Sequence, residues 1–328
     1  MYFISEYGMF LLKSVTIVAA ILIVLLGIVA ILSKGKGGVG GKLEVKKLNE
    51  HFANLRKQLQ HKMLSKKDLK KTLKLEQKME KKVAKDDKKR VFVLDFNGDM
   101  KASGTTQLRE EVSAVLTIAT PEDEVIVRVE SPGGIVNGYG LAASQLQRFR
   151  DHNIPLTVAV DKVAASGGYM MACVADKILA APFAIIGSIG VVAQIPNFHR
   201  WLKKHDIEFE QLTAGDYKRT LTMFGENTKK DREKAQADIE DIHMLFKDFV
   251  SEHRPQVDLA KVATGEYWFG TRAKALNLID ELQTSDDYLM ALEQHAKVYT
   301  VKQTVKKGFM KKLGHSVQQA FTTDINAF

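Results

Sequence analysis

Ser166, Lys218 and the turn Ser131-Pro132-Gly133-Gly134 are the residues of this chain whose types and spacing could do chemistry together. Ser166 stands in Ala164-Ala165-Ser166-Gly167-Gly168-Tyr169, a small-residue run that predicts a helix opening at the serine. A serine there lies at the positive end of the helix dipole, beside amides that have no helical partner. An ordinary N-cap serine has the same signature, so Ser166 alone does not specify an enzyme. Gly133 and Gly134 follow an apolar run and a proline, where glycine lets the backbone approach a substrate closely. The amides of Gly134 and Gly167 are the candidates for an oxyanion hole, in which one donor is worth about 3 kcal/mol of barrier. A plain tight turn would use the same glycines.

Lys218 lies in Gly215-Asp216-Tyr217-Lys218-Arg219-Thr220. Most lysines are solvated surface charges. An amine accepts a serine proton only when uncharged, which requires apolar surroundings, and Tyr217, Leu221 and Phe224 are the neighbours that could supply them. No histidine lies between Ser166 and His199, which disfavours a nearby imidazole base. Serine, lysine and glycine turn together make the parts of a hydrolase that works through an acyl-enzyme, with Lys218 taking and returning the proton. His199, His205, His243 and His253 lack metal-ligand spacing, so no metal is expected, nor any cofactor. Cys173 is the one cysteine, and in the apolar stretch after Ser166 it reads as a buried, inert thiol.

These residues need a rigid frame, and the region around them reads as α/β. Val91–Phe96, Val125–Glu130 and Leu156–Asp161 are apolar runs of strand length, with amphipathic helices expected at Leu108–Ile118 and Gly138–Asp151 between them. Ile178 to Ile195 is also apolar, but Pro182, its glycines and Ser188 make it a buried strand–turn–strand rather than a membrane span.

Charge separates this body from its appendages. The chain of 328 residues carries a net +9, yet residues 34–90 alone carry +13 and residues 301–328 carry +4. Residues 1–33 are balanced, so residues 91–300 are acidic at −8. A nucleic-acid-binding body is disfavoured, because tracking phosphates needs cations clustered on the folded domain.

Four regions follow. Residues 1–33 hold an uncharged run from Val15 to Leu32, which reads, over residues 9–32, as one helix crossing the lipid bilayer. Residues 34–90 are a basic flexible joint and stalk. Gly35 to Lys42 is glycine-rich but lacks the Ser/Thr of a phosphate-binding loop, and Leu43–Arg90, free of Pro and Gly, predicts long exposed helix. Residues 91–300 are the α/β domain that carries the expected Ser–Lys site, a peptidase domain by the family resemblance of its motifs. Residues 301–328 form a basic amphipathic tail with Phe309, Leu313, Val317 and Phe321 at four-residue spacing. Lys34, Lys36, Lys42, Lys46 and Lys47 crowd one flank of the span, which argues for a cytoplasmic body, against the outer-side location that the family resemblance implies; the face of the membrane stays open between the two.

In order along the chain, the motifs resemble the signal peptide peptidase A family of membrane-anchored Ser–Lys proteases. They are Glu130-Ser131-Pro132-Gly133-Gly134, Ala164 to Tyr169, Gly187-Ser188-Ile189-Gly190-Val191, and Thr264-Gly265 leading to Ala273 and Leu278-Ile279-Asp280. The resemblance spans the chain from the anchor to about residue 300. It implies a crotonase/ClpP-like spiral of ββα units, Ser166 as nucleophile, Lys218 as general base, peptide substrates and a bacterial inner-membrane location. It also implies a homo-oligomer in which serine and lysine of one site can come from adjacent subunits. Two positions depart from the family pattern: Arg219 stands where relatives place a serine after the lysine, and Asn277 where a glycine is common. A ClpP-type Ser-His-Asp site lacks its histidine, and a crotonase acting on acyl-CoA would not use the Ser and Lys. A catalytically inactive membrane scaffold on the same fold is the reading from another class.

Overall fold

The protein is described from a computed structural model, which covers residues 8–18, 20–22, 41–83 and 89–304. Glu44–Lys302 form one compact unit, and a second unit draws on the two chain ends. The first elements are β1 (Lys42–Lys47), α1 (Leu48–Met63) and α2 (Lys66–Val83). Next come β2 (Arg90–Asn97), α3 (Thr105–Leu116), β3 (Glu124–Glu130), α4 (Val136–Asp151), β4 (Leu156–Val160), β5 (Val163–Ala165) and α5 (Gly167–Ala172). They are followed by β6 (Lys177–Ala180), β7 (Ile185–Gly187), α6 (His199–Lys204), α7 (Lys229–His253) and α8 (Leu259–Val262). The last are β8 (Tyr267–Phe269), α9 (Gly270–Ala275), β9 (Glu281–Leu282), α10 (Ser285–Glu293) and β10 (Lys297–Thr304).

Seven strands form the main sheet in the order β1-β10-β2-β3-β4-β6-β9, and β2, β3, β4 and β6 pair in parallel. Parallel strands covered on both faces read as unbroken apolar runs, which is why Leu156-Thr-Val-Ala-Val160 is buried at every position. The larger core lies against α3, α4 and α5. A smaller cluster of Val91, Val93, Ile126, Leu289 and Val298 fills the other face.

A second sheet, β5-β7-β8, makes the fold useful. The chain leaves β4 at Val160 and enters β5 at Val163, then turns into α5; it leaves β6 at Ala180 and enters β7 at Ile185, and an irregular stretch follows before α6. At the end of β3, Ser131 bridges Ala164 of β5. β4 and β6 therefore hand the chain to the second sheet, and β3 touches it through Ser131, whereas β2 passes directly to α3. The apolar stretch from Ile178 is the expected strand–turn–strand, divided between the two sheets.

Residues 42–83 differ from the expected single helical stalk. Lys42-Leu-Glu-Val-Lys-Lys47 alternates in polarity and joins the sheet as β1 beside β10. The helical stretch then breaks at extended Leu64, and Ser65 starts α2 by accepting from the Asp68 amide. Asn49 docks α1 by donating to the carbonyls of Glu293 and Ala296 and accepting from Val298 N, and Arg56 pairs with Glu293 at 3.1 Å. The glycine-rich joint up to Gly40 and the tail from 305 lie outside the described residues, as do residues 19 and 23–32 of the expected span. No described helix is long and apolar enough to cross a membrane.

Helix α7 is tied to the sheet by one buried cation. Arg254, 3% exposed, donates to both Asp280 oxygens at 2.8 and 2.9 Å and to the Asn277 carbonyl. Asp280 also accepts from Ile178 N and so reaches β6. Removing one partner of such a pair leaves an uncompensated group. Arg254→Met is expected to destabilise the protein by about 3 kcal/mol, read as a roughly 5–10 °C lower thermal midpoint by circular dichroism.

Candidate active site

Ser166 occupies a backbone conformation that few residues accept. It sits between β5 and α5 with φ +52° and ψ −119°, in a region that costs a non-glycine residue about 1–3 kcal/mol. The neighbours over-determine that turn. Ser166 N donates to Gly187 O of β7 at 2.8 Å, and Ala165 N donates to Ser131 O at 3.0 Å. Met170 N returns to Ser166 O as the first turn of α5, whose six residues are all buried. Tyr169 anchors the helix by donating to Leu278 O at 2.9 Å. The side chain of Ser166 is partly exposed, and its hydroxyl has no hydrogen-bond partner among the described residues.

The glycine turn is packed directly on this serine. Gly133 has φ +94°, and a Cβ built there would stand 2.8 Å from the Ser166 Cβ and 2.9 Å from Gly167 N. Only glycine permits that approach. The Gly133 amide is already used, donating to Ser131 Oγ at 3.1 Å, whereas Gly134 N has no partner among the described residues. Gly167 opens α5, where helix geometry leaves the amide without an internal acceptor. Ser166, Gly134 and Gly167 all line one cleft of about 840 Å³. Three of the four expected site residues are thus together, in an arrangement suited to attack on a carbonyl and retention of the resulting oxyanion.

A buried chain of hydroxyls that sequence reasoning missed holds the turn in place. Tyr139 of α4, fully buried, donates to the Asp99 carbonyl at 2.8 Å and lies 2.6 Å from Ser131 Oγ. Because the single Tyr139 proton goes to Asp99, Ser131 donates to Tyr139 while accepting from Gly133 N. Burial pushes the Tyr139 hydroxyl above its ordinary pKa, which keeps it a donor. Gly98, Gly167 and Gly168 leave room for these side chains: a Cβ on any of them would come within 2.5 Å of Ser131 or Tyr139.

Lys218 is not brought to the cleft within one chain. It sits on the irregular segment between α6 and α7, exposed, with its amide donating to Gly215 O. Its expected apolar neighbours do not enclose it. Tyr217 is exposed and lies under the ammonium groups of Lys230 and Lys234, while Phe224 stacks on Phe198. The same segment exposes Phe209, Leu212 and Met223, with Leu212 97% accessible.

The cleft holds other residues that the sequence did not single out. Gln236, Ile239, Glu240, His243 and Phe246 of α7 form one wall, and Ser188, with φ +53°, lies beside Gly187. The available signal for α7 was its start: Thr228 and Asp231 make a reciprocal capping box. Cys173 is buried as expected, with its thiol pushed up by burial and directed to Met170 O.

Two family models match this chain almost end to end: Peptidase family S49 N-terminal over residues 2–146, and Peptidase family S49 over residues 148–299. A protein of Haemophilus influenzae described as probable protease SohB is 50% identical, covering 99% of this chain and 96% of its own. A protein of the same description from Buchnera aphidicola of Acyrthosiphon pisum is 48% identical over 95% of this chain and 93% of its own. A putative protease of Methanocaldococcus jannaschii is 35% identical over 53% of this chain and 56% of its own.

The Tyr139 hydroxyl acts on the turn rather than on a substrate. Tyr139→Phe leaves Ser131 and the Asp99 carbonyl each short of a partner, so a loss of about 1–2 kcal/mol in stability is expected. Peptide hydrolysis should show kcat reduced about tenfold or more with KM within about twofold, and Ser131→Ala should move both in the same direction.

Proposed function

This chain belongs to peptidase family S49 and is a protease, and from that premise we propose that it is a membrane-anchored serine endopeptidase with a Ser–Lys dyad. Ser166 attacks the peptide carbonyl, the amides of Gly134 and Gly167 hold the oxyanion, and Lys218 takes the proton and returns it to the leaving amine. The observation that carries this reading is the turn at Ser166: a serine with φ +52° and an unpaired hydroxyl, packed against a glycine turn in a cleft. Surrounding bonds maintain a strained residue there, as expected where strain serves chemistry. Substrates are peptides, with signal-peptide remnants and other membrane-associated polypeptides as the sources suggested by the family resemblance. The long strand–short strand–helix succession supports the crotonase-like reading of the fold. An inactive scaffold would have no need for this strained serine.

Lys218 enters the proposal through assembly. A lone amine in solvent stays charged and is no base, so it must be covered. The segment that carries it exposes Phe209, Leu212, Tyr217 and Met223, an apolar surface of the kind buried between subunits. We therefore place Lys218 at the cleft of an adjoining copy in a homo-oligomer. Membrane attachment is supported by the apolar run to Leu32 and by the described part of it, where Phe10, Leu12, Val15 and Ile17 are all exposed. The location is the inner membrane of a bacterium.

Ser166→Ala and Lys218→Ala are each expected to lower peptide hydrolysis by about 10³-fold or more while the oligomer persists on gel filtration. Co-assembling the two inactive variants should restore roughly a quarter of wild-type activity, because random assembly in a closed ring brings intact serine and lysine together at that share of sites. No recovery would return Lys218 to its own chain's serine or remove it from the mechanism. Deleting residues 1–33 should move the protein from the carbonate-resistant membrane fraction to the soluble one.

A further inference from the structure

One wall of the cleft is a single face of α7, on which Gln236, Ile239, Glu240, His243 and Phe246 recur at helical spacing. The remaining lining residues are apolar, or small or polar without charge. Glu240 is the one carboxylate in the lining, and no Lys or Arg is among it for the described residues. Nor does Glu240 pair with a cation elsewhere among them. Its Oε1 accepts from the Gln236 amide one turn earlier at 2.8 Å, which holds the carboxylate and leaves Oε2 without a partner among the described residues. One turn later, His243 Nε2 is buried and likewise unpartnered there. Glu240 is exposed and therefore solvated in the single chain, and among the described residues it is the one charged side chain in the lining that a peptide entering this cleft would meet.

We infer that Glu240 is a specificity-determining residue that selects peptides carrying a cationic side chain, Lys or Arg, within an otherwise apolar stretch. The inference rests on the protease reading above and adds a substrate class to it. Apolar side chains of the peptide bury against residues such as Ile239 and Phe246, which provides affinity without register. The ammonium or guanidinium group pairs with Glu240 Oε2 and sets the register relative to Ser166. A peptide with Glu or Asp at that position meets an uncompensated like charge and is rejected. Glu240 is exposed in the single chain, so the pair belongs to the modest class of about 1 kcal/mol at most, or about fivefold in rate.

The test uses the full-length protein in detergent and a set of uncharged apolar peptides in which one Lys is moved position by position, each compared with its norleucine counterpart. In wild type, Lys at one position should raise kcat/KM about fivefold over norleucine, and raising the salt from about 0.05 to about 0.5 M, which shortens the Debye length roughly threefold, should erode the gain. Glu240→Gln should abolish the gain, and Glu240→Lys should transfer it to the corresponding Glu peptide. The inference is overturned by the absence of a Lys gain at every position, or by a gain that survives in Glu240→Gln. A uniform loss on all peptides in Glu240→Gln would also overturn it and assign the carboxylate to a subunit contact instead. If wild type cleaves none of the peptides, the protease reading of the cleft fails rather than the role of Glu240.

Discussion

The site depends on a backbone constraint: a serine held in a left-handed turn between two sheets. Ser166 could relax if its surroundings yielded, but its amide is committed to Gly187 O in β7. Its predecessor Ala165 is committed to Ser131 O, and Gly133 occupies the space beside its Cβ. The cost of the conformation is spread over a ladder of ordinary backbone hydrogen bonds in the second sheet. That sheet is short, with three residues in each strand, and its most evident work is to hold the chain where the long strands end.

The glycines around the serine follow from the same crowding. The backbone of Ser131 passes close to Gly168, the ring of Tyr139 lies over Gly167, and the Met100 carbonyl abuts Gly134. A side chain on any of these would displace a neighbour that is itself hydrogen-bonded. The hydroxyl chain from Gly133 through Ser131 and Tyr139 to Asp99 then transmits the position of the loop before α3 to the turn that lines the cleft. The main sheet contributes rigidity, and α7, locked by Arg254 and Asp280, contributes the opposing chemistry of the cleft wall.

Apolar side chains left on the surface explain why one chain does not complete the proposed machinery. A lysine base needs a dry, apolar surrounding, and the segment between α6 and α7 has the apolar side chains but no core of its own in which to bury them. Phe198, Phe209 and Phe224 stack among themselves and remain partly accessible. On the proposed reading, the same surface that makes this segment unsuitable for water makes it suitable for a second copy, and covering it also dries the amine.

Local sequence determined a good deal about this protein. The apolar runs that became β2, β3 and β4, the helices between them, the serine at the head of a small-residue helix, and the Gly133-Gly134 turn were all legible, because strand burial and glycine turns leave short-range signatures. The buried Cys173 was legible for the same reason. Tertiary structure decided the rest. β1 looked helical because its lysines and leucine suit either state, and only pairing beside β10 selects the strand. β5 and β8 are too short to show a period, and the contacts of Gly133 with Ser166 and of Tyr139 with Ser131 join residues whose proximity no spacing announces. The α7 wall, with Glu240 and His243 more than seventy positions from the serine, is set by long-range docking: Phe246 and Val250 enter the main core, and Arg254 just beyond the helix reaches across to Asp280. Composition records which residues want burial, but long-range packing alone decides which of them meet.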